Sequence, residues 1–198
     1  MLTMSDPRLV FTVVFVLILG ERILELAVSV RNQRRALAQG GVLVREDPYG
    51  WIVGVHSLFM ISAPLEVWRL DPIRVPGLAG SMLVVLVASM TLRYWAIYSL
   101  GERWNTRVIC VPGLAAVHSG PYRWIRHPNY VAVALEVIAL PLLGGAWRTA
   151  ILFGIANLLV LRRRIRVEEE ALRRYADWER IFAGQSRFVP GLPPSGHR

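Results

Sequence analysis

Between Pro128 and Leu161 the chain reads PNYVAVALEVIALPLLGGAWRTAILFGIANLLVL, two apolar runs whose only charges are Glu136 and Arg148. Gly144-Gly145-Ala146-Trp147-Arg148 is turn-forming, so the runs predict an antiparallel helical hairpin, Pro128 to Trp147 and Thr149 to Leu161. A spanning helix needs ~17–25 mainly apolar residues. The second arm falls short, so it either snorkels its arginines or continues as one helix into water.

Three apolar runs precede the hairpin: Leu9 to Val30, Trp51 to Trp68 and Gly77 to Tyr98. The expected fold is an all-α integral membrane protein of about five transmembrane helices with a C-terminal helical hairpin. It forms one domain, 1–198, with an N-terminal three-helix part (1–98) and a C-terminal part (99–198) that holds the candidate site. With 54% hydrophobic residues and a mean hydropathy of +0.41, a soluble domain is a poor fit. Glu21, Arg22 and Glu25 interrupt the first run, and no small-residue cleavage pattern follows it. It reads as a retained helix, not a secretory signal.

All 23 basic residues are arginine, and the net charge is +9. The arginines flank the apolar runs, where anionic headgroups and the positive-inside rule account for them, so nucleic acid is not an expected partner. Arg31, Arg34, Arg35 and Arg45 follow the first run, only Arg69 and Arg74 beside Asp71 follow the second, and Arg103, Arg107, Arg123 and Arg126 follow the third. That asymmetry puts the N-terminus outside and the C-terminus in the cytoplasm. Trp51, Trp68, Trp95 and Trp147 fall near helix ends, as indoles do at the headgroup level. From Arg162 to about Phe182, Ile165, Leu172, Tyr175, Trp178 and Phe182 recur at helical spacing, predicting an amphipathic helix on the cytoplasmic face. Pro190, Pro193 and Pro194 end regular structure.

Polar groups gather at the two ends of the hairpin. The run Gly120-Pro121-Tyr122-Arg123-Trp124-Ile125-Arg126-His127-Pro128-Asn129-Tyr130 starts with a turn and places Pro128 at the first position of a helix, with His127 near its cap. Tyr122, Trp124 and Tyr130 can stack on a planar ring while His127 or Asn129 hydrogen-bonds it. A belt of interfacial aromatics and arginines gives the same composition, so both readings stay open. Arg164 and Glu168 share one helical face where the second arm leaves the apolar zone; a solvated stop-transfer cluster, Arg162 to Arg166, is the plainer alternative. Glu136 sits mid-span, where a carboxylate costs ~2.5–3.5 kcal/mol, so it should face the bundle interior or be protonated. Glu21, Arg22 and Glu25 can pair with one another, Glu66 can snorkel, and His56 suits a helix-packing donor.

The lone cysteine, Cys110, leaves no internal disulfide and reads as a small apolar residue. Four scattered histidines give no metal-ligand spacing, and GxGxxG, P-loop and HExxH patterns are absent, so no metal is expected.

From Leu100-Gly101-Glu102-Arg103-Trp104 through Gly120–Tyr130 to Arg164…Glu168-Glu169…Leu172, the chain resembles the isoprenylcysteine carboxyl methyltransferase family of integral-membrane enzymes. The pairing of RHPNY with a distant R-x-x-x-E-E-x-x-L is its specific part. Glu21-Arg22…Glu25-Leu26 and Arg31-Asn32 look like a bacterial branch, which implies a bacterial inner membrane; some of its members O-methylate alkylpyrones or alkylresorcinols. The resemblance implies S-adenosylmethionine as cofactor. It implies cofactor contacts at Leu114, Ala115, Ala116 and Val117, at Tyr122, at His127, Pro128, Asn129 and Tyr130, and at Glu168. Arg107 and Leu114 stand where the family keeps a glutamine and a histidine. Arg164 would meet the polar end of a lipophilic acceptor, a carboxylate or an acidic enol or phenol of polyketide or prenyl type, with Glu136 a further acceptor contact and Glu168 a catalytic candidate. Membrane lipids are the other expected partners; oligomeric state is open. Two rivals are an NADPH-dependent membrane reductase of the steroid reductase type and a non-catalytic small membrane protein. In such reductases a glycine-glutamate pair tends to follow the tyrosine closely, whereas Tyr130 is followed by Val131-Ala132-Val133 and the acid waits until Glu136.

Overall fold

A computed structural model describes residues 7–70 and 75–190. Asp71, Arg74, Pro193 and Pro194, used above for topology and chain termination, lie outside the described residues. The helices are α1 (Pro7–Ala38), α2 (Tyr49–Arg69), α3 (Leu78–Leu100), α4 (Pro128–Leu143), α5 (Trp147–Tyr175) and α6 (Trp178–Phe182), with 3-10 turns at Gly101–Arg103 and Gly120–Arg123. The expectation of purely helical structure needs one amendment. Val42–Leu43 (β1) pairs antiparallel with Ile109–Cys110 (β2), Val42 opposite Cys110 and Leu43 opposite Ile109. This short ladder ties the α1–α2 loop to the α3–α4 connection and so satisfies backbone groups of two loops at one end of the bundle.

Two helices, Tyr49–Arg69 and Leu78–Arg103, are long and apolar enough to cross a membrane. The 21 residues of α2 extend roughly 31 Å at ~1.5 Å per residue, close to the ~30 Å hydrocarbon thickness. The first hairpin arm is shorter than the sequence reading set it: α4 has 16 residues and ends at Leu143, because Gly144 and Gly145 take over the turn. The second arm does continue as one helix, for 29 residues to Tyr175. A separate amphipathic helix from Arg162 is therefore not formed. Arginine is a good helix former, so nothing at Leu161–Arg162 interrupts the ladder. The break comes at Ala176, whose backbone is extended, and α6 then begins at Trp178.

α4 packs between α3 and α5, and α2 packs on α5. Phe11, Phe59, Val67, Leu86, Leu140 and Phe153 anchor the core, with Phe59 meeting Phe153 edge-on at 5.8 Å. Leu17, Val84, Leu152 and Leu159 point outward, each at least 60% exposed. Water would disfavour such a surface, and lipid accepts it. Glu66 corrects the snorkelling expectation: it is buried, and its carboxylate accepts hydrogen bonds from Arg148 N (3.0 Å), Thr149 N (2.7 Å) and Thr149 Oγ1 (2.6 Å). A carboxylate at a helix N-terminus satisfies open N–H groups and the dipole of α5.

The hairpin turn is tightly covered. A Cβ on Gly144 would sit 2.5 Å from Val67 Cγ2 and 3.0 Å from Phe11 Cγ, and both neighbours are core residues. Gly144→Ala should therefore lower stability by about 1–3 kcal/mol through overpacking. Thermal unfolding in detergent checks this, and an unchanged midpoint would contradict the packing described.

Candidate functional site

The site begins with loops that α1 holds in place. Asn32, fully buried, donates through Nδ2 to Trp104 O (2.9 Å) and Gly101 O (3.2 Å). Ser29 Oγ accepts from Thr106 N (2.9 Å) and shares a hydrogen bond with Thr106 Oγ1 (2.8 Å). Asp47 Oδ2 accepts from Val108 N at 2.9 Å. Gly120 is required for a different reason: φ is +55°, and a Cβ would meet Ser99 Oγ at 2.0 Å, so the loop lies directly on α3. These pins carry Leu114–Val117 and Tyr122 to the mouth of α4.

Beneath them lies a cavity of about 760 Å³. Its loop end is walled by Leu114, Ala115, Ala116, Val117 and Tyr122. His127, Asn129 and Tyr130 follow from the start of α4, then Arg164 and Glu168 from α5. Deeper, Glu136 faces it from α4 and His56 from α2. Of the residues expected at a site, these all come together. Pro128 does not line the cavity: it is fully buried and sets the first turn of α4. Trp124 also turns away, half exposed, against Trp95 at 5.2 Å.

Tyr130 Oη donates to Glu168 Oε2 and accepts from Arg164 Nε at 3.2 Å. Arg164 Nη1 pairs with Asp47 Oδ1, and Nη2 donates to Thr106 O at 3.0 Å. Three guanidinium nitrogens thus each have a protein acceptor, and the charge is balanced by an Asp47 side chain with no exposure. Guanidinium has five N–H donors, so further donors remain for a ligand oxygen. Sequence reasoning missed Asp47, because a partner 117 positions away leaves no periodic trace.

Behind this layer Glu169 binds the tail of the chain. Arg187 grips it through two parallel bonds, Nε to Oε1 at 2.9 Å and Nη2 to Oε2 at 2.6 Å. His127 Nε2 donates to Oε1 at 3.1 Å, and Arg126 and Arg173 stand within 4.0 Å. The tail also pairs by backbone, Arg126 N to Ser186 O and His127 N to Arg187 O, both 3.1 Å, while Gln185 donates to Tyr122 O at 2.9 Å. A strap from 182 to 187 thereby fixes His127, whose ring stacks on Tyr130 at 5.4 Å. Arg187 was not found from sequence, and Glu169 entered only within the glutamate run 168–170, with no partner assigned to it.

Burial alone would raise the Glu169 carboxyl, but hydrogen bonds from His127 and Arg187 and their charge lower it to about 2. Burial pushes the Tyr122 phenol well above its ordinary value, and Glu168 adds to the rise. Cys110 is raised to about 11 by burial and by Glu168, so its thiol stays protonated at neutral pH and is no nucleophile.

Several buried polar atoms at the cavity have no partner among the described residues: Asn129 Oδ1, Arg107 Nε and Arg126 Nε. Unpaired groups of this kind cost about 1–3 kcal/mol each. On the cavity wall, the polar Asn129 and the cationic Arg107 and Arg126, together with Tyr122 and Leu114–Val117, suit a ligand with an amine or hydroxyl, an anionic group and a flat ring. An adenosyl amino acid has all of these.

The model of the isoprenylcysteine carboxyl methyltransferase family matches residues 82–174, from α3 through the end of the cavity-lining part of α5. The chain is 37% identical over 166 residues to uncharacterized protein YpbQ of Bacillus subtilis, covering 84% of this chain and 98% of that relative. It is 26% identical over 165 residues to an uncharacterized protein of Haemophilus influenzae, covering 83% and 95% respectively. A family match over the cavity walls, with a relative aligned along almost its whole length, settles the membership: the chain belongs to the isoprenylcysteine carboxyl methyltransferase family, whose members are membrane-embedded methyltransferases dependent on S-adenosylmethionine.

Proposed function

We propose that the protein transfers a methyl group from S-adenosylmethionine to an oxygen of a lipophilic acceptor that never leaves the membrane. The observation that carries this reading is the continuity of one cavity. At one end are Leu114–Val117, Tyr122, His127, Asn129, Tyr130 and Glu168, the residues to which the resemblance gives cofactor contacts. At the other end the wall is Leu19 and Leu26 of α1 and Val53 and Ile61 of α2. Those four line the cavity and are still 40–58% exposed, so the rim between α1 and α2 opens toward lipid. A greasy chain can lie there while its head reaches inward. With the loop end in the cytoplasm, as the arginine distribution directs, the cofactor enters from water and the acceptor from the bilayer.

The cofactor supplies an electrophilic methyl on a positively charged sulfur. The protein's own contribution is placement and charge. Asn129 would stand beside the cofactor's amine or hydroxyl groups, and the Glu168 carboxylate, oriented by Tyr130, would favour a nearby cation. Arg164 donates a remaining N–H to the acceptor oxygen and holds it in line, which is where much of the rate gain of a displacement arises. The low dielectric of the closed cavity strengthens each of these pairings.

Membrane lipid extracts incubated with the enzyme and trideuteromethyl-labelled S-adenosylmethionine should yield a lipid whose mass rises by the labelled methyl. Absence of any labelled lipid from extracts of the native host would refute the proposal. Glu168→Ala should weaken cofactor binding about tenfold, the loss of roughly one charge-assisted hydrogen bond. Equilibrium binding in detergent reads this directly, and unchanged affinity would remove Glu168 from the cofactor site.

A further inference from the structure

The chain beyond Tyr175 lies outside the family-matched residues and has no assigned part in methyl transfer, yet it covers the cofactor end of the cavity. α5 stops where Ala176 becomes extended, and α6 then lies against the residues that lead into α4. Trp178 and Phe182 face inward: both are buried, both line the cavity, and their rings meet at 4.2 Å. Trp178 also lies 6.0 Å from the His127 ring, and Phe182 meets His118 edge-on at 5.3 Å. Between them Glu179 and Arg180 are exposed to water. A helix of five residues does not hold itself in place, so its position depends on what fastens it.

The fastenings run to the 118–127 stretch and to Glu169. Arg126 Nη2 donates to Phe182 O at 3.1 Å, and Arg126 N donates to Ser186 O. Gln185 Nε2 donates to Tyr122 O at 2.9 Å, while its Oε1 lies 3.3 Å from His118 Nε2. Arg187 grips Glu169 with both ends of its fork. Two aromatic rings and a row of polar bonds make a small contact set, the kind that opens well before the whole fold does. The extended Ala176 offers a hinge at one end of α6. Gly184 offers another at the far end, with φ +73° and open space around its Cα.

Under this cover the side chains of Tyr122 and His127 are buried. The lipid rim between α1 and α2 is at the opposite end of the cavity, and hydrocarbon rejects a ligand that carries a sulfonium, an ammonium and a carboxylate. That ligand must therefore come in at the covered end. The facing Leu114–Val117 wall is pinned at Ala115 O by Arg103 Nη1 and at Leu114 N by Val111 O. The segment from 176 to 187 is the more loosely built of the two sides.

We propose that residues 176–187 form a hinged lid that swings away to admit S-adenosylmethionine and closes over it, with the Glu169–Arg187 pair as its latch. This rests on the methyl-transfer reading and adds how the cofactor enters and leaves. Closure brings Gln185 to Tyr122 and the Arg187 carbonyl to His127 N, so the cofactor wall is complete only with the lid shut. Water is kept from the methyl donor while the acceptor arrives from lipid.

The test locks the lid. His118→Cys with Gln185→Cys, in a Cys110→Ser background, puts two thiols across the seam for a short, reducible bismaleimide linker. Linked before cofactor is added, the purified full-length protein should take up no S-adenosylmethionine in the time that saturates the same variant unlinked, and reduction of the linker should restore uptake. Linked after loading, it should hold the cofactor through a chase. Arg187→Gln leaves that seam intact and removes the latch. It should release bound cofactor about tenfold faster, the loss of roughly one charge-assisted bond, and should also load it faster. A fixed wall would lose affinity without faster loading. Uptake by the linked protein at the unlinked rate, or unchanged release and loading in Arg187→Gln, would overturn the lid while leaving cofactor binding in place. A native protein that binds no S-adenosylmethionine would overturn the methyltransferase reading and the lid together.

Discussion

Arg164→Ala is expected to abolish methyl transfer and to cost about 3–5 kcal/mol of stability. Arg164 is buried on Asp47, which has no exposure, and its removal leaves that carboxylate uncompensated beside the apolar wall. The same change frees the Tyr130 hydroxyl from its 3.2 Å contact and with it the orientation of Glu168. Lysine should rescue little, because a single ammonium cannot reach Asp47, Thr106 O and Tyr130 together as the planar guanidinium does. Pairing Arg164→Met with Asp47→Asn separates the two effects. The double variant should recover much of the lost stability but no turnover. Thermal unfolding and labelled-methyl transfer on the same preparations make the comparison, and turnover in Arg164→Ala would remove the residue from the site.

Glu169→Gln is the second large expected loss, about 2–3 kcal/mol from weakened charge-assisted bonds to Arg187 and His127. Its effect should depend on pH in a fixed direction. Folding lowers this carboxyl from 4.5 to about 2. Below its unfolded value the unfolded chain binds the proton more readily than the native protein does. The stabilisation from Glu169 is therefore fully present above about 4.5 and drains away as pH falls toward about 2. Native protein should lose stability through that window, and the Glu169→Gln variant should show a shallower fall. Parallel curves would mean the strap from 182 to 187 is not held by this carboxylate. Because the strap fixes His127 against Tyr130, loosened cofactor binding should accompany the loss.

Much of this arrangement is written in local sequence. Apolar length marked α2 and α3, Gly144-Gly145 marked the hairpin turn, and RHPNY with the later arginine and glutamates marked one end of the cavity. Glu136 was expected to face inward or be protonated, because hydrocarbon penalises a mid-span carboxylate, and it is buried beside Arg22. What stayed hidden was partner choice. Asp47 with Arg164, Arg187 with Glu169, and Arg93 with Glu25 join elements far apart in the chain, and no spacing rule announces them. Glu66 was misread for a related reason: its partners are N–H groups of Arg148 and Thr149 at the start of α5, visible only once α2 and α5 pack. The second arm's extent was left open between snorkelling and continuation, because a change from apolar to charged residues alters what surrounds a helix without breaking it.

The account stands on the cavity's being a site for S-adenosylmethionine. Titration calorimetry of the purified protein in detergent, with S-adenosylmethionine in one series and NADPH in another, tests that most directly. One equivalent of S-adenosylmethionine should bind, more weakly in Glu168→Ala, while NADPH gives no saturable heat. Saturable NADPH binding with none for S-adenosylmethionine would contradict the account.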